Sequence, residues 1–114
     1  MPFLRIQTNQ PLAAQASGAL AQTASAKVAE ILGKPESYVM VSVEYNPAMT
    51  FGGSTQPLAY LELKSIGLPE SMTGPASAAL CELVNSATGI DPARVYIEFT
   101  DAPRKMWGWD GGTF

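Results

Sequence analysis

Residues of the same kind recur 57 positions apart along this chain: Leu4 with Leu61, Ile6 with Leu63, Thr8 with Ser65, Pro35 with Pro92, and charged Arg5 with charged Glu62. Each copy carries the same pattern. Phe3 to Thr8 alternates with period two, the mark of a strand, and Asn9-Gln10-Pro11 stops it. From Leu12 to Leu32, Leu20, Ala24, Val28, Ile31 and Leu32 fall on one helical stripe, ended by Gly33 and Pro35. Tyr38 to Tyr45 alternates again, up to Asn46-Pro47. After a loop from Ala48 to Pro57, rich in flexible residues, the series restarts. Leu58 to Ser65 predicts a strand, and Ala76 to Thr88 a helix with Pro75 in its first turn and Gly89 after its end. Val95 to Thr100 predicts a last strand.

Two β-α-β units are too few for an open solenoid, so the expectation is an α/β (α+β) fold with pseudo-twofold symmetry. Two helices pack on one face of a four-stranded mixed sheet. A crossover helix makes the strands of each unit parallel. The 114 residues fit one domain, with copies at about 2–46 and 58–101 and a tail at 102–114. If Leu4, Ile6, Val39, Val41, Leu61, Leu63, Val95 and Ile97 face the helices, the other face carries Arg5, Gln7, Ser42, Glu44, Glu62, Lys64, Glu98 and Thr100. That polar face is either an ordinary solvated sheet surface or the lining of a water-filled channel at the centre of an oligomer.

Composition removes several function classes. The net charge is −3 and the seven Lys and Arg residues are scattered, whereas a nucleic-acid surface clusters them, so no nucleic-acid partner is expected. No run of about 18 apolar residues and no signal-peptide pattern is present, so no membrane partner is expected either. Cys81 is the single cysteine, which excludes an internal disulfide and a thiolate metal cluster and fits a cytoplasmic protein. With no histidine, Ser-His and Cys-His pairs and the commonest zinc ligand are absent; no metal or cofactor is expected. Acid–base chemistry then falls to carboxylates, Lys, Tyr or the terminal amine.

Pro2 follows Met1, and removal of an initiator methionine before a small residue would leave the proline nitrogen as a free secondary amine. An α-amino group titrates near about 7.7 to 8.0, and burial or a nearby cation lowers that value, which makes such a nitrogen a usable base at neutral pH. With Met1 retained the nitrogen is an amide and no base. Proline at position two is common in any case, so Pro2 alone does not specify catalysis. Lys34 has two readings: a cation just beyond a helix C-terminus, favoured by about 0.3 to 1 kcal/mol, or a partner for a substrate carboxylate that also lowers the amine pKa. Tyr96 is either a half-buried strand aromatic or a phenol donor to a substrate oxygen.

Several blocks occur together and in order: Met1-Pro2-Phe3-Leu4, Thr8-Asn9-Gln10-Pro11, Gly33-Lys34-Pro35, Phe51-Gly52-Gly53-Ser54, Ser65-Ile66-Gly67, Pro92 to Ile97, and Gly108 to Phe114. On these the chain resembles the macrophage migration inhibitory factor family over its whole length. The opening also resembles D-dopachrome tautomerase, a close relative, while the Gly108-Trp109 to Thr113-Phe114 ending favours the former. The resemblance implies a homotrimer whose sheets wrap a central channel, with active sites between subunits. It implies keto–enol tautomerisation of phenylpyruvate-like, or dopachrome-like, carbonyl acids with Pro2 as the base. Lys34 would bind the substrate carboxylate, Ile66 would offer its backbone N–H, and Tyr96 would reach in from a neighbouring subunit. Phe3, Met106, Trp107, Trp109 and Phe114 would form an apolar rim.

The resemblance also implies two alternatives: a cytokine-like binding or signalling protein with a vestigial pocket, having a protein partner and exported without a signal peptide, or a sister chemistry such as decarboxylation or dehalogenation of small acids. Two departures matter. Where mammalian members carry Cys-x-x-Cys, this chain has Leu58-Ala59-Tyr60-Leu61, so thiol–disulfide activity is not expected. Where they carry Asn two residues after the tyrosine, it has Glu98, a carboxylate near the expected pocket mouth that would repel an anion or raise the amine pKa; Arg104 and Lys105 would offset it.

Overall fold

The computed structural model describes residues 1–114. Strand β1 spans Phe3–Thr8, helix α1 Ala14–Leu32, β2 Met40–Tyr45, β3 Ala59–Ile66, helix α2 Thr73–Thr88 and β4 Val95–Ala102. The strands lie in the order β2-β1-β3-β4. β1 and β2 are parallel, as are β3 and β4, while β1 meets β3 antiparallel. The expected mixed sheet with two parallel β-α-β units is what the chain forms.

The duplication has a structural axis. In the β1–β3 ladder, Arg5 stands opposite Glu62, with Leu4 opposite Leu63 and Ile6 opposite Leu61. Of the equivalent residues, Arg5 and Glu62 face each other directly, and Leu4 and Ile6 each face the counterpart of the other, as a pseudo-twofold passing between Arg5 and Glu62 requires. Beyond the helices the offset drops by one. Gly33 and Gly89 are both left-handed helix caps, with φ of 62° and 76°, and Ser42 and Glu98 occupy matching places against Arg5 and Glu62. Pro35 is therefore the counterpart of Asp91, not of Pro92.

Alternation decides the faces. Leu4, Ile6, Leu61 and Leu63 are fully buried and join Leu20, Ala24 and Val28 of α1 and Leu80 and Val84 of α2 in one apolar cluster. Val39, Val41 and Ile97 pack on that cluster but stay partly exposed, because β2 and β4 are the open edges of the sheet. On the opposite face Arg5 donates to Glu44 at 2.8 and 3.0 Å and to Glu62 at 3.1 Å, and the Tyr60 hydroxyl donates to Glu98 at 2.8 Å. The Glu44 carboxyl is held below its usual range, chiefly by the Arg5 hydrogen bond, and the Tyr60 phenol is pushed up to about 12, chiefly by Glu98.

Three local differences from expectation have physical causes. Tyr38 ends a short 3-10 turn, Glu36–Tyr38, before β2 begins at Met40. Phe51 and Ser54 pair across Gly52 and Gly53, whose φ angles of 59° and 76° suit a tight hairpin turn, so the glycine-rich loop is partly ordered. The tail folds into a second hairpin, β5 (Gly108–Trp109) with β6 (Gly112–Thr113), turned at Asp110-Gly111.

Candidate functional site

The head of β1 is where the chemistry-bearing residues converge. The Pro2 ring is completely buried and its carbonyl accepts the Met40 N–H at 3.0 Å, which ties the start of β1 to the start of β2. Around it lies a cavity of about 250 Å³ walled by Met1, Phe3, Ser37, Tyr38, Val39, Met40, Trp107, Gly108, Trp109 and Phe114. The β5–β6 hairpin supplies one wall. The Phe114 N–H returns to the Trp107 carbonyl at 3.2 Å, and the Trp109 ring stacks on Phe114 with centroids 5.7 Å apart. Tyr38 meets Trp109 edge-on at 5.9 Å, so an aromatic box closes over the N-terminus.

Lys34 borders this box from the end of α1. Gly33 turns left-handed, and Lys34 then returns its N–H to Ala29 at 3.1 Å, the hydrogen bond that fixes where the side chain departs. Its Nζ donates to the Ile66 carbonyl at the end of β3. The ammonium acts on the chain's terminal amine, which here is that of Met1, one residue before Pro2: it is lowered from its ordinary value first by burial and second by Lys34. Lys34 itself is lowered by burial and then by Arg104, against an opposing pull from Asp101. Asp101 is fixed in turn, because its Oδ1 accepts the Leu68 N–H at 3.0 Å. The corner is net cationic, suited to a small organic anion with an apolar body.

Of the residues singled out in the sequence, Pro2, Phe3, Trp107, Trp109 and Phe114 line the cavity together. Lys34 and Ile66 are joined to one another beside it. Met106 is 79% exposed and is not part of the wall. Tyr96 and Glu98 stand elsewhere. Tyr96 is level with Tyr60, which is level with Gln7. Gln7 is five residues along β1 from Pro2, or about 17 Å at the strand rise, and Tyr96 is two strands further across. Glu98 is engaged by Tyr60 on the polar face. Tyr38 and Met40 are wall residues that the strand assignment of Tyr38 to Tyr45 concealed, and Ser37, just before that strand, was not singled out. The one signal for Tyr38 is an aromatic side chain three residues after Pro35 of the Gly33-Lys34-Pro35 block.

The cavity holds no cluster of His, Cys, Asp and Glu able to bind a metal. No helix is long and apolar enough to cross a membrane.

Comparisons with known proteins agree on one family. The sequence profile described as Macrophage migration inhibitory factor (MIF) matches residues 1–114. A macrophage migration inhibitory factor homolog of Brugia malayi is 40% identical over 115 residues, covering 100% of this chain and 99% of its own. The macrophage migration inhibitory factor of Rattus norvegicus is 36% identical over 115 residues, with the same coverage of both chains. The crystal structure of the homologue from Prochlorococcus marinus superposes with a TM-score of 0.93 at 44% identity, over 98% of each chain.

Proposed function

Because the chain belongs to the macrophage migration inhibitory factor family, we propose that it is a keto–enol tautomerase of phenylpyruvate-like carbonyl acids. The Pro2 amine, freed by removal of Met1, is the general base. The observation that carries this reading is the burial of Pro2 in an aromatic-walled cavity beside the Lys34 ammonium. Burial and the neighbouring cation both disfavour a protonated amine, as they do for the Met1 amine one residue away, and the same two causes would favour the free base at Pro2 once Met1 is removed. The same cation attracts a carboxylate, and the rings of Phe3, Tyr38, Trp109 and Phe114 accept an aromatic body.

The proposed step is a proton relay that balances by itself. The Pro2 nitrogen removes a proton from the carbon next to the keto group, the C–H electrons become the C=C bond, and the carbonyl oxygen takes the negative charge. The proton then passes from the Pro2 ammonium to that oxygen, giving the enol with no cofactor and no net change in atoms or electrons. Lys34 holds the substrate carboxylate, the Ile66 N–H adds a second donor, and Met106 stays at the rim. Tyr96 serves a pocket on a neighbouring copy, in a homotrimer, where Glu98 is a modulator at the mouth. The polar sheet face then lines the channel between copies. What supports the shared site is the separation of Tyr96 from Pro2 within one chain.

The test is ultraviolet absorbance of phenylpyruvate enolisation by protein whose intact mass shows loss of Met1. Pro2→Gly should lose at least about a hundredfold in kcat/KM, the usual worth of a positioned base. Equal rates in the two proteins would end the proposal and favour a binding or signalling role that does not need the amine.

A further inference from the structure

One guanidinium holds a whole loop. Arg94 donates from Nη1 to the Phe51 carbonyl at 3.0 Å, from Nη2 to Ser54 and Gln56 at 3.0 Å each, and from Nε to Pro57 at 3.2 Å. It engages four backbone carbonyls and no carboxylate, a use of nearly every N–H that an arginine owns. The far side of the same loop is held by Asn9, which donates to the Thr55 carbonyl at 2.9 Å and accepts the Leu58 N–H at 3.0 Å.

The loop so fixed presents one large side chain. The Phe51 ring lies 5.2 Å below the Arg94 carbon and 4.6 Å from the ring of Tyr96, tilted by 40°. Tyr96 is 66% exposed and its hydroxyl forms no hydrogen bond within the chain, so Phe51 is the aromatic partner that limits where the phenol points. Arg94 ends the 3-10 turn Pro92–Arg94 and Tyr96, two residues on, is the second residue of β4; both side chains meet the same loop.

We propose that Arg94 and Phe51 are positioning residues for the Tyr96 phenol. Arg94 locks the loop, the loop places the Phe51 ring, and the ring holds Tyr96 in the orientation in which it enters a neighbouring copy's Pro2 pocket. This rests on the proposed role of Tyr96 and adds the machinery that sets its aim. Lysine cannot replace Arg94, because a single ammonium cannot reach carbonyls spread over seven residues in one plane. Catalysis is sensitive to such placement, since a displacement of about 1 Å can cost about a hundredfold.

The experiment compares Phe51→Leu, Arg94→Lys, Tyr96→Ala and the double variant Phe51→Leu/Tyr96→Ala, each checked for native mass and circular dichroism, in phenylpyruvate kinetics against pH. Phe51→Leu keeps every Arg94 hydrogen bond and so stands in if Arg94→Lys fails to fold. The expected result is a loss of about tenfold in kcat/KM for either single variant, with the low-pH limb unmoved, because neither residue touches the Pro2 cavity. In the Tyr96→Ala background, Phe51→Leu should cost nothing more. Wild-type kinetics for Phe51→Leu and Arg94→Lys beside an impaired Tyr96→Ala would overturn the positioning role alone. Full activity of Tyr96→Ala while Pro2→Gly is dead would overturn the role of Tyr96 and this inference with it. Equal additional losses in both backgrounds, or loss of the native oligomer, would mark Phe51 and Arg94 as merely structural.

Discussion

Lys34 is the residue on which the electrostatics of the site turn. The Met1 amine is depressed by burial and then by the Lys34 charge; an amine at Pro2 beside the same charge would rise in pKa on its removal, with a smaller fraction of free base at any given pH. With the amine at Pro2, activity rises with pH as the base form appears, and Lys34→Ala should move this limb to higher pH. It should also raise KM for phenylpyruvate about tenfold, the loss of a charged hydrogen bond. A pH profile of kcat/KM checks both, and a limb that stays in place would separate Lys34 from the amine. Lys34 is itself depressed, mainly by burial, so binding of the anion should weaken at a lower alkaline pH than an ordinary lysine would allow. At this scale the sequence pointed to those cavity residues that sit in short contiguous blocks, Pro2-Phe3 and Trp107 to Phe114. Arg94 stayed hidden because its partners are carbonyls some 40 positions away, and carbonyls leave no trace in side-chain pattern.

Strands β1 and β3 carry the next prediction. Thr8 and Ser65, equivalent in the two copies, are buried hydroxyls at the ends of these central strands. Thr8 Oγ1 donates to the Leu58 carbonyl at 2.7 Å and accepts the Gln10 N–H at 3.1 Å, so it closes the turn out of β1 onto the start of β3. Thr8→Val keeps the shape and strands both partners, at a cost of about 1 to 3 kcal/mol for buried polar groups left unpaired. Denaturant unfolding should show it as a lower midpoint with an unchanged slope; an unchanged midpoint would mean that water replaces the hydroxyl. In the core, Leu80→Ala removes a fully buried side chain and should cost about 2 to 5 kcal/mol. The long elements were legible because apolar residues recur at 3.6 and 2 along them. The start of β2 was not, since a 3-10 turn at Glu36–Tyr38 interrupts an alternation that continues through it. The β5–β6 hairpin has strands of two residues each, too short for any periodicity, although Asp110-Gly111 is a turn signal of the right kind.

The polar sheet face and the proposed division of the site between copies belong to the scale of the assembled molecule. Alternation assigned Arg5, Glu44, Glu62, Lys64 and Glu98 to one face, and they do lie there, linked by ion pairs and a phenol hydrogen bond; what that face meets is a question one chain's pattern does not answer. The strand registers do say that a single chain cannot bring Tyr96 to its own Pro2. Mixing two crippled chains therefore makes a decisive test. Pro2→Gly keeps a sound Tyr96, and Tyr96→Ala keeps a sound Pro2. In a closed ring each pocket takes its proline from one chain and its tyrosine from the next, so equal amounts unfolded together and refolded give sound pairs in about half of a half, or about one quarter, of the pockets. Activity on phenylpyruvate should recover to about that share of wild type, while each variant refolded alone stays low. Recovery requires that the two functions reside on different chains. A mixture no more active than the average of its parts would place both functions in one chain, against the register of the sheet, or deny Tyr96 any part in the reaction.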